Sequence, residues 1–174
     1  IKNLMSKWDL PGVSIAITKD ERLVYTRGYG FADKVRNSIV SIDNLFRIAS
    51  ISKTFTATAI LKLVEEGKIS LDQTVFGPSG ILGNDYGATP DGSKKELITI
   101  LHLLNHKSGW VDYLQTAENK NMSHTELISY VLANYPLSID PGHSYNYFSV
   151  GYIILGRIIE KISGQTYEDY IKSV

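Results

Sequence analysis

The period of the apolar positions changes along the chain. Residues 13–19 (VSIAITK) and 22–28 (RLVYTRG) are short runs rich in β-branched and aromatic side chains, parted by Asp20-Glu21. That pattern predicts an antiparallel hairpin. Gly28-Tyr29-Gly30 follows. A dinucleotide-binding loop needs a fuller glycine spacing than this, so the pair reads as a strand-end turn. From Ser50 to Glu66 the period becomes helical, with Phe55, Ala59, Ile60, Leu63 and Val64 apolar and Gly67 as a stop. Its length and apolarity predict a helix buried in the middle of the protein.

Glycines and prolines at 77, 78, 80, 83, 87, 90 and 92 mark residues 77–96 as a long surface loop. A second helix is expected from Thr99 to about His106. A third starts at Ser123, where Ser123 and Glu126 form a capping-box pattern ahead of Leu127, Ile128, Val131 and Leu132. A fourth runs from about Ser149 to Ile162 and is ended by Gly164; Thr166 with Asp169 opens a fifth. One hairpin ahead of so many helices is an odd balance, because two strands alone make a marginal sheet.

Composition narrows the chemistry. At 174 residues and 43% hydrophobic, the chain is long and apolar enough to bury the core of one domain. Lys plus Arg and Asp plus Glu are 18 each, so no charge excess argues for nucleic acid or an acidic membrane surface. Cysteine is absent, which removes disulfides, thiol catalysis and thiolate metal sites. No apolar run reaches the length of a membrane span. The chain opens Ile1-Lys2-Asn3, with neither an initiator Met nor an apolar signal region. It reads as a mature or trimmed product, with any export signal cut away from view.

The sharpest chemical signal is Ser50-Ile51-Ser52-Lys53 at the start of the first long helical stretch. A spacing of three residues on a helix puts the hydroxyl and the amine on one face. A serine alcohol is a weak nucleophile until a neighbouring base takes its proton, and the start of a helix adds unpaired amides that favour developing negative charge. On its own the tetrapeptide also fits an ordinary helix cap with a solvated lysine.

Its neighbours change the weighting. The run Phe46-Arg47-Ile48-Ala49-Ser50-Ile51-Ser52-Lys53-Thr54-Phe55-Thr56-Ala57 closely resembles the nucleophile segment of the serine β-lactamase and penicillin-binding protein superfamily. The likeness is to its class C-like branch, which also holds DD-peptidases, D-aminopeptidases and esterases. Leu10-Pro11-Gly12-Val13-Ser14 and Tyr25-Thr26-Arg27-Gly28-Tyr29-Gly30 resemble the family's first two strands. Glu66-Gly67-Lys68-Ile69-Ser70-Leu71-Asp72 and Leu103-Leu104-Asn105-His106-Lys107-Ser108-Gly109 resemble the segments after the nucleophile helix. Pro141-Gly142 with Gly151-Tyr152 and Leu155-Gly156 resembles the segment holding the second motif. Several matches in the right order are far more specific than one tetrapeptide.

The resemblance implies an α+β fold in which an antiparallel sheet packs on helices beside an all-helical region. Residues 1–48 would carry the N-terminal strands, 50–66 the nucleophile helix and 67–174 a mainly helical part of one domain. It implies Ser50 as nucleophile, with Lys53 and a tyrosine sharing protons. The family's Tyr-x-Asn motif falls on Tyr147-Phe148-Ser149, with serine where the family usually has asparagine. A nearby ammonium would stabilise the Tyr147 phenolate, which could then serve as general base. The shorter arm of Ser149 weakens contacts to a substrate carbonyl or to Lys53 and argues against efficient β-lactam turnover. Ser144-Tyr145-Asn146 fits the Ser-x-Asn pattern of other branches and competes for the role. The Gly151-Tyr152 anchor and the helix start at Ser149 favour Tyr147.

A third motif, Lys-Thr-Gly or a relative, belongs on a strand downstream of the tyrosine. Lys107-Ser108-Gly109 imitates it in letters only, lying upstream and after a helix. The family's C-terminal strands, one of which supplies this motif and half of the oxyanion hole, are therefore expected outside this chain, deleted, cleaved off or carried by a separate polypeptide. The expected function is hydrolysis of an amide or ester carbonyl through an acyl-enzyme, on a β-lactam, a D-amino-acid peptide or a small ester, without metal or organic cofactor. An acylation-only sensor of the same fold is the alternative. The resemblance also implies export to the periplasm or cell exterior. Two further signals are weaker. His102 and His106 have the i,i+4 spacing of a zinc pair, with Asp112 imaginable as a third ligand, but the glutamate base of a metalloprotease is missing. Trp110 and Tyr113 would either line a substrate groove or pack in the core.

Overall fold

The computed structural model describes residues 1–90, 92–111 and 121–174. They form two compact units, Ile1–Ile48 and Ala49–Val174.

The first unit contains a short helix α1 (Lys2–Lys7) and three antiparallel strands in the order β1 (Gly12–Lys19), β2 (Arg22–Asp33) and β3 (Ser38–Ile39). Asp20 and Glu21 both take left-handed backbones, φ 50° and 61°, and so form the tight turn that pairs Lys19 with Arg22. The predicted hairpin is present. The second strand is longer than predicted, however, and runs straight through Gly28-Tyr29-Gly30. Those glycines make room instead of turning the chain. A Cβ on Gly28 would stand 2.2 Å from the carbonyl oxygen of Val40, the buried residue of this unit. The third strand and α1 were not legible in the pattern.

The second unit is helical. A single 3₁₀ turn, Ala49–Ile51, leads into α2 (Ser52–Glu65), followed by α3 (Ile100–Leu104), α4 (His124–Asn134), α5 (Ser149–Ser163) and α6 (Tyr167–Ser173). The caps are those the sequence predicts. Ser123 and Glu126 close a capping box on α4, Gly164 ends α5 with φ 69°, and Thr166 accepts from the Asp169 amide at the start of α6. At α3 the partner is a surprise: Thr99 accepts from the His102 amide while His102 Nδ1 accepts from the Thr99 amide.

The core forms around α5, whose Ile154, Leu155, Ile158 and Ile159 are fully buried against Ile60 and Leu63 of α2 and Ile128, Val131 and Leu132 of α4. The expectation that α2 is a helix buried in the middle of the protein needs correction, because one face of it is open. Only the stripe Thr56, Ala59, Ile60 and Leu63 is buried, whereas Phe55 and Leu61 are each 51% exposed. The i, i+3, i+4, i+7 spacing of that stripe is what one covered helix face requires. The glycine-rich connection over 77–96 does lack helix and strand through most of its length, but it is not all surface: Gly77, Ile81 and Leu82 are buried, the latter two in the core, and so is Lys95. Lys95 is buried at 2% exposure, and its ammonium donates to the Leu132 carbonyl at 2.6 Å, near the C-terminal end of α4, where the helix dipole favours a cation. Among the described residues no helix is long and apolar enough to cross a membrane.

Candidate active site

Two helix starts define the site. At the first, Ala49 takes a left-handed backbone (φ 46°) that alanine rarely adopts, at an expected cost of about 1–3 kcal/mol. The chain then enters α2 so that Ser50 and Lys53 lie one turn apart. No side chain caps this helix start among the described residues, so its first amides keep their donors for another partner. At the second, Phe148 is the N-cap of α5 and Ser149 its first residue, which leaves Tyr147 in extended chain immediately before the helix.

The three side chains meet. Ser50 Oγ and Tyr147 Oη share a hydrogen bond of 2.8 Å, and Lys53 Nζ donates to Ser50 Oγ at 3.3 Å. The Lys53 ammonium also sits 4.9 Å from the ring centre of Tyr147 and 5.6 Å from that of Tyr152. Lys53, then the hydroxyls of Ser50 and Ser149, favour the charged form of Tyr147, and burial opposes them. The balance lowers the Tyr147 phenol from its ordinary 10 to about 8. A phenol so lowered is substantially ionised at mildly alkaline pH, while its hydrogen bond to a serine hydroxyl offers a direct path for the proton. Ser50 is exposed and Tyr147 39% exposed, so an incoming carbonyl has access.

The partners of the Ser50 hydroxyl are Tyr147 and Lys53; Ser144 is exposed, in the stretch just before Tyr147. Ser149 is close enough for its hydroxyl to steady the Tyr147 oxygen. It also lines a cavity of about 450 Å³ bounded by Lys53, Thr56, Tyr152, Arg157 and Tyr167. Trp110 belongs to the core and not to a groove wall. It is 1% exposed, stacks on Phe148 at 5.2 Å, meets Phe76 edge-on and donates from Nε1 to the Tyr135 carbonyl. Large aromatic area and a satisfied indole N–H make burial the stable state. Tyr113 and Asp112 lie outside the described residues.

Through Nδ1, His102 accepts from the Thr99 amide and His106 from the Phe148 amide. Lys107-Ser108-Gly109 is a buried turn, not a strand; a Cβ on Gly109 would stand 2.2 Å from the Ile139 carbonyl oxygen. Two neighbours of the site had no assigned role in the sequence, His106 and Tyr152. Tyr152 donates to the Leu104 carbonyl at 3.0 Å and places its ring beneath the Lys53 ammonium. The His106-to-Gly109 segment stood out by resemblance, but spacing alone gave no hint that it reaches Tyr147.

Comparison with known proteins identifies the family and the fold. A family model described as Beta-lactamase matches residues 1–174. Protein flp of Staphylococcus aureus (strain NCTC 8325 / PS 47) is 30% identical over 173 residues, 98% of this chain but 34% of its own length. The octameric penicillin-binding protein homologue from Pyrococcus abyssi superposes with a TM-score of 0.78 at 34% identity, over 99% of this chain and 40% of that one. A class C beta lactamase does so with a TM-score of 0.77 at 32% identity, over 99% of this chain and 45% of that one. The chain therefore spans between about a third and just under half of the length of these relatives. Its fold is β-lactamase/transpeptidase-like, a small antiparallel sheet with helices. By the family model that matches it end to end, the chain belongs to the Beta-lactamase family.

Proposed function

We propose that this chain carries the nucleophile and general base of a serine hydrolase that works through an acyl-enzyme at Ser50. The observation that carries the reading is the triangle of Ser50, Lys53 and Tyr147. As the Ser50 oxygen attacks an amide or ester carbonyl, its proton passes to the Tyr147 phenolate and a C–O bond forms. The tetrahedral intermediate collapses with loss of the amine or alcohol, which takes that proton from Tyr147. Water, or an acceptor amine, then attacks the acyl carbonyl as its proton passes to the same phenolate; the Ser50–acyl bond breaks, and Ser50 Oγ takes that proton back from Tyr147. Lys53 keeps the phenolate stable through each step, and the Ser50 amide holds one side of the oxyanion. No cofactor enters this scheme.

The substrate class is an amide or ester acyl donor, among them β-lactams, D-amino-acid peptides and small esters. Ser149 in place of a longer amide favours peptides or esters over efficient β-lactam turnover. A second oxyanion donor and the third motif would come from strands outside residues 1–174, whether in the same polypeptide or a separate one. The extra length of the relatives and the half-exposed Phe55 and Leu61 on α2 support that reading. Losing one oxyanion donor costs on the order of a hundredfold or more in rate, so acylation by these residues alone is expected to be slow. An exported location belongs to the same proposal.

Labelling with a fluorescent penicillin and with a fluorophosphonate, followed by peptide mapping, tests it. The expected adduct is on Ser50, abolished by Ser50→Ala. Absence of any adduct on Ser50, with the added downstream strands present, would sink the proposal. Because Ser149 replaces the amide, an acylation-only sensor is the second reading. A stable Ser50 adduct that is never hydrolysed would select it.

A further inference from the structure

We propose that His106 is the positioning residue of the general base, holding Tyr147 from both sides along the chain and backing its ring. The inference rests on the reading of Tyr147 as base. Three contacts carry it. The His106 carbonyl accepts from the amide of Asn146, the residue before the tyrosine, at 2.8 Å. Its Nδ1 accepts from the amide of Phe148, the residue after it, at 3.2 Å. Its ring lies 4.6 Å from the Tyr147 ring at an interplanar angle of 36°, with the rings of Tyr152 at 5.2 Å and Tyr145 at 5.8 Å around it.

Each contact removes a different freedom. The two amide bonds pin the main chain on either side of Tyr147, a stretch with neither helix nor strand of its own. The ring contact limits rotation of the phenol about its side-chain torsions, which otherwise have no barrier from a helix or a sheet. An amide N–H can only donate, so Nδ1 is an accepting nitrogen of the ring. The Lys53 ammonium stands 4.9 Å from the centre of the Tyr147 ring. His106 itself takes a left-handed backbone, φ 54°, directly after α3. Glycine adopts that conformation freely, and asparagine and histidine are among the other residues enriched in it. Small errors in the placement of a base can cost about a hundredfold in rate, so a clamp of this kind bears directly on catalysis.

The same backbone preference supplies the test. His106→Asn and His106→Gly both accept a left-handed φ. The first offers an amide oxygen near the place of Nδ1; the second offers neither an acceptor nor a ring. Two readouts are needed: the titration of the Tyr147 phenol carbon by NMR, assigned with Tyr147→Phe among the 11 tyrosines, and the rate of Ser50 acylation by a fluorophosphonate. For folded His106→Gly, acylation is expected to fall about tenfold or more, and the Tyr147 midpoint to climb from near 8 towards 10. His106→Asn is expected to recover most of both. A folded glycine variant within twofold of the parent in rate and unchanged in its titration would overturn the inference. So would equal losses in the two variants, which would make the effect one of packing. If the glycine variant does not fold, a folded asparagine variant with a midpoint near 10 overturns it alone. The NMR titration needs no acylation, so a parent that fails to react removes the proposed function while His106 is still decided.

Discussion

Tyr147 is a phenol whose chemistry is set by its neighbours. Lys53, first among them, lowers it to about 8. In the proposed mechanism the base is the ionised form, and its fraction grows as pH rises through that value. Acylation of Ser50 should therefore increase with pH about a midpoint near 8 and level off above it, as read from fluorophosphonate labelling rates. Replacing Lys53 by Met removes the ammonium, and the midpoint should shift upward towards the ordinary value of a phenol. Tyr147→Phe should abolish the pH-dependent rise and slow acylation by about a hundredfold or more. A labelling rate that is flat across pH 6 to 10 in the parent chain would exclude Tyr147 as base. Much of this was legible beforehand. Ser50 and Lys53 are three residues apart, and a helical turn alone brings them together. Tyr147 lies 97 residues from Ser50, and only the family's motif order pointed to it. His106 was legible as a residue but not as a role, because its contacts with Tyr147 and Phe148 cross between two loops.

At the scale of elements, the ends of the helices follow local rules. Ser123 and Glu126 exchange hydrogen bonds across four residues, as their letters predict. Ser123→Ala should cost about 1 kcal/mol, seen as a lower Tm in thermal unfolding, with Ser50 acylation unchanged. No loss of stability would mean that this capping box contributes nothing in place. Strands obey longer-range rules. The reach of β2 through Gly28 and Gly30 depends on Val40 coming close to a glycine backbone, and β3 exists only because it pairs with Phe31 and Asp33. Neither interaction leaves a periodic trace. Lys95 shows the same limit in a loop. Its charge reads as surface, yet it is buried because the Leu132 carbonyl and the end of α4 receive it.

For the whole molecule the contrast lies between the two faces of α2. Ile158 of α5 is fully buried in the core that α2 helps to enclose, while Leu61 is half exposed. Ile158→Ala should destabilise the chain by about 2–5 kcal/mol in chemical denaturation. Leu61→Gln should stay within about 0.5 kcal/mol. A large loss from the second substitution would show that the outer face of α2 is already packed within residues 1–174. The family and the proposed nucleophile could be read from the chain because they rest on residues near one another in sequence, where spacing and helix geometry suffice. The hairpin, the capped helices and the serine–lysine pair are all of this kind. The tertiary structure decided which tyrosine oxygen reaches Ser50, that Trp110 is core, and that His106 grips the chain on both sides of Tyr147. Those outcomes depend on helices meeting across long stretches of sequence, where packing and the need to satisfy each amide, not local pattern, choose the partner.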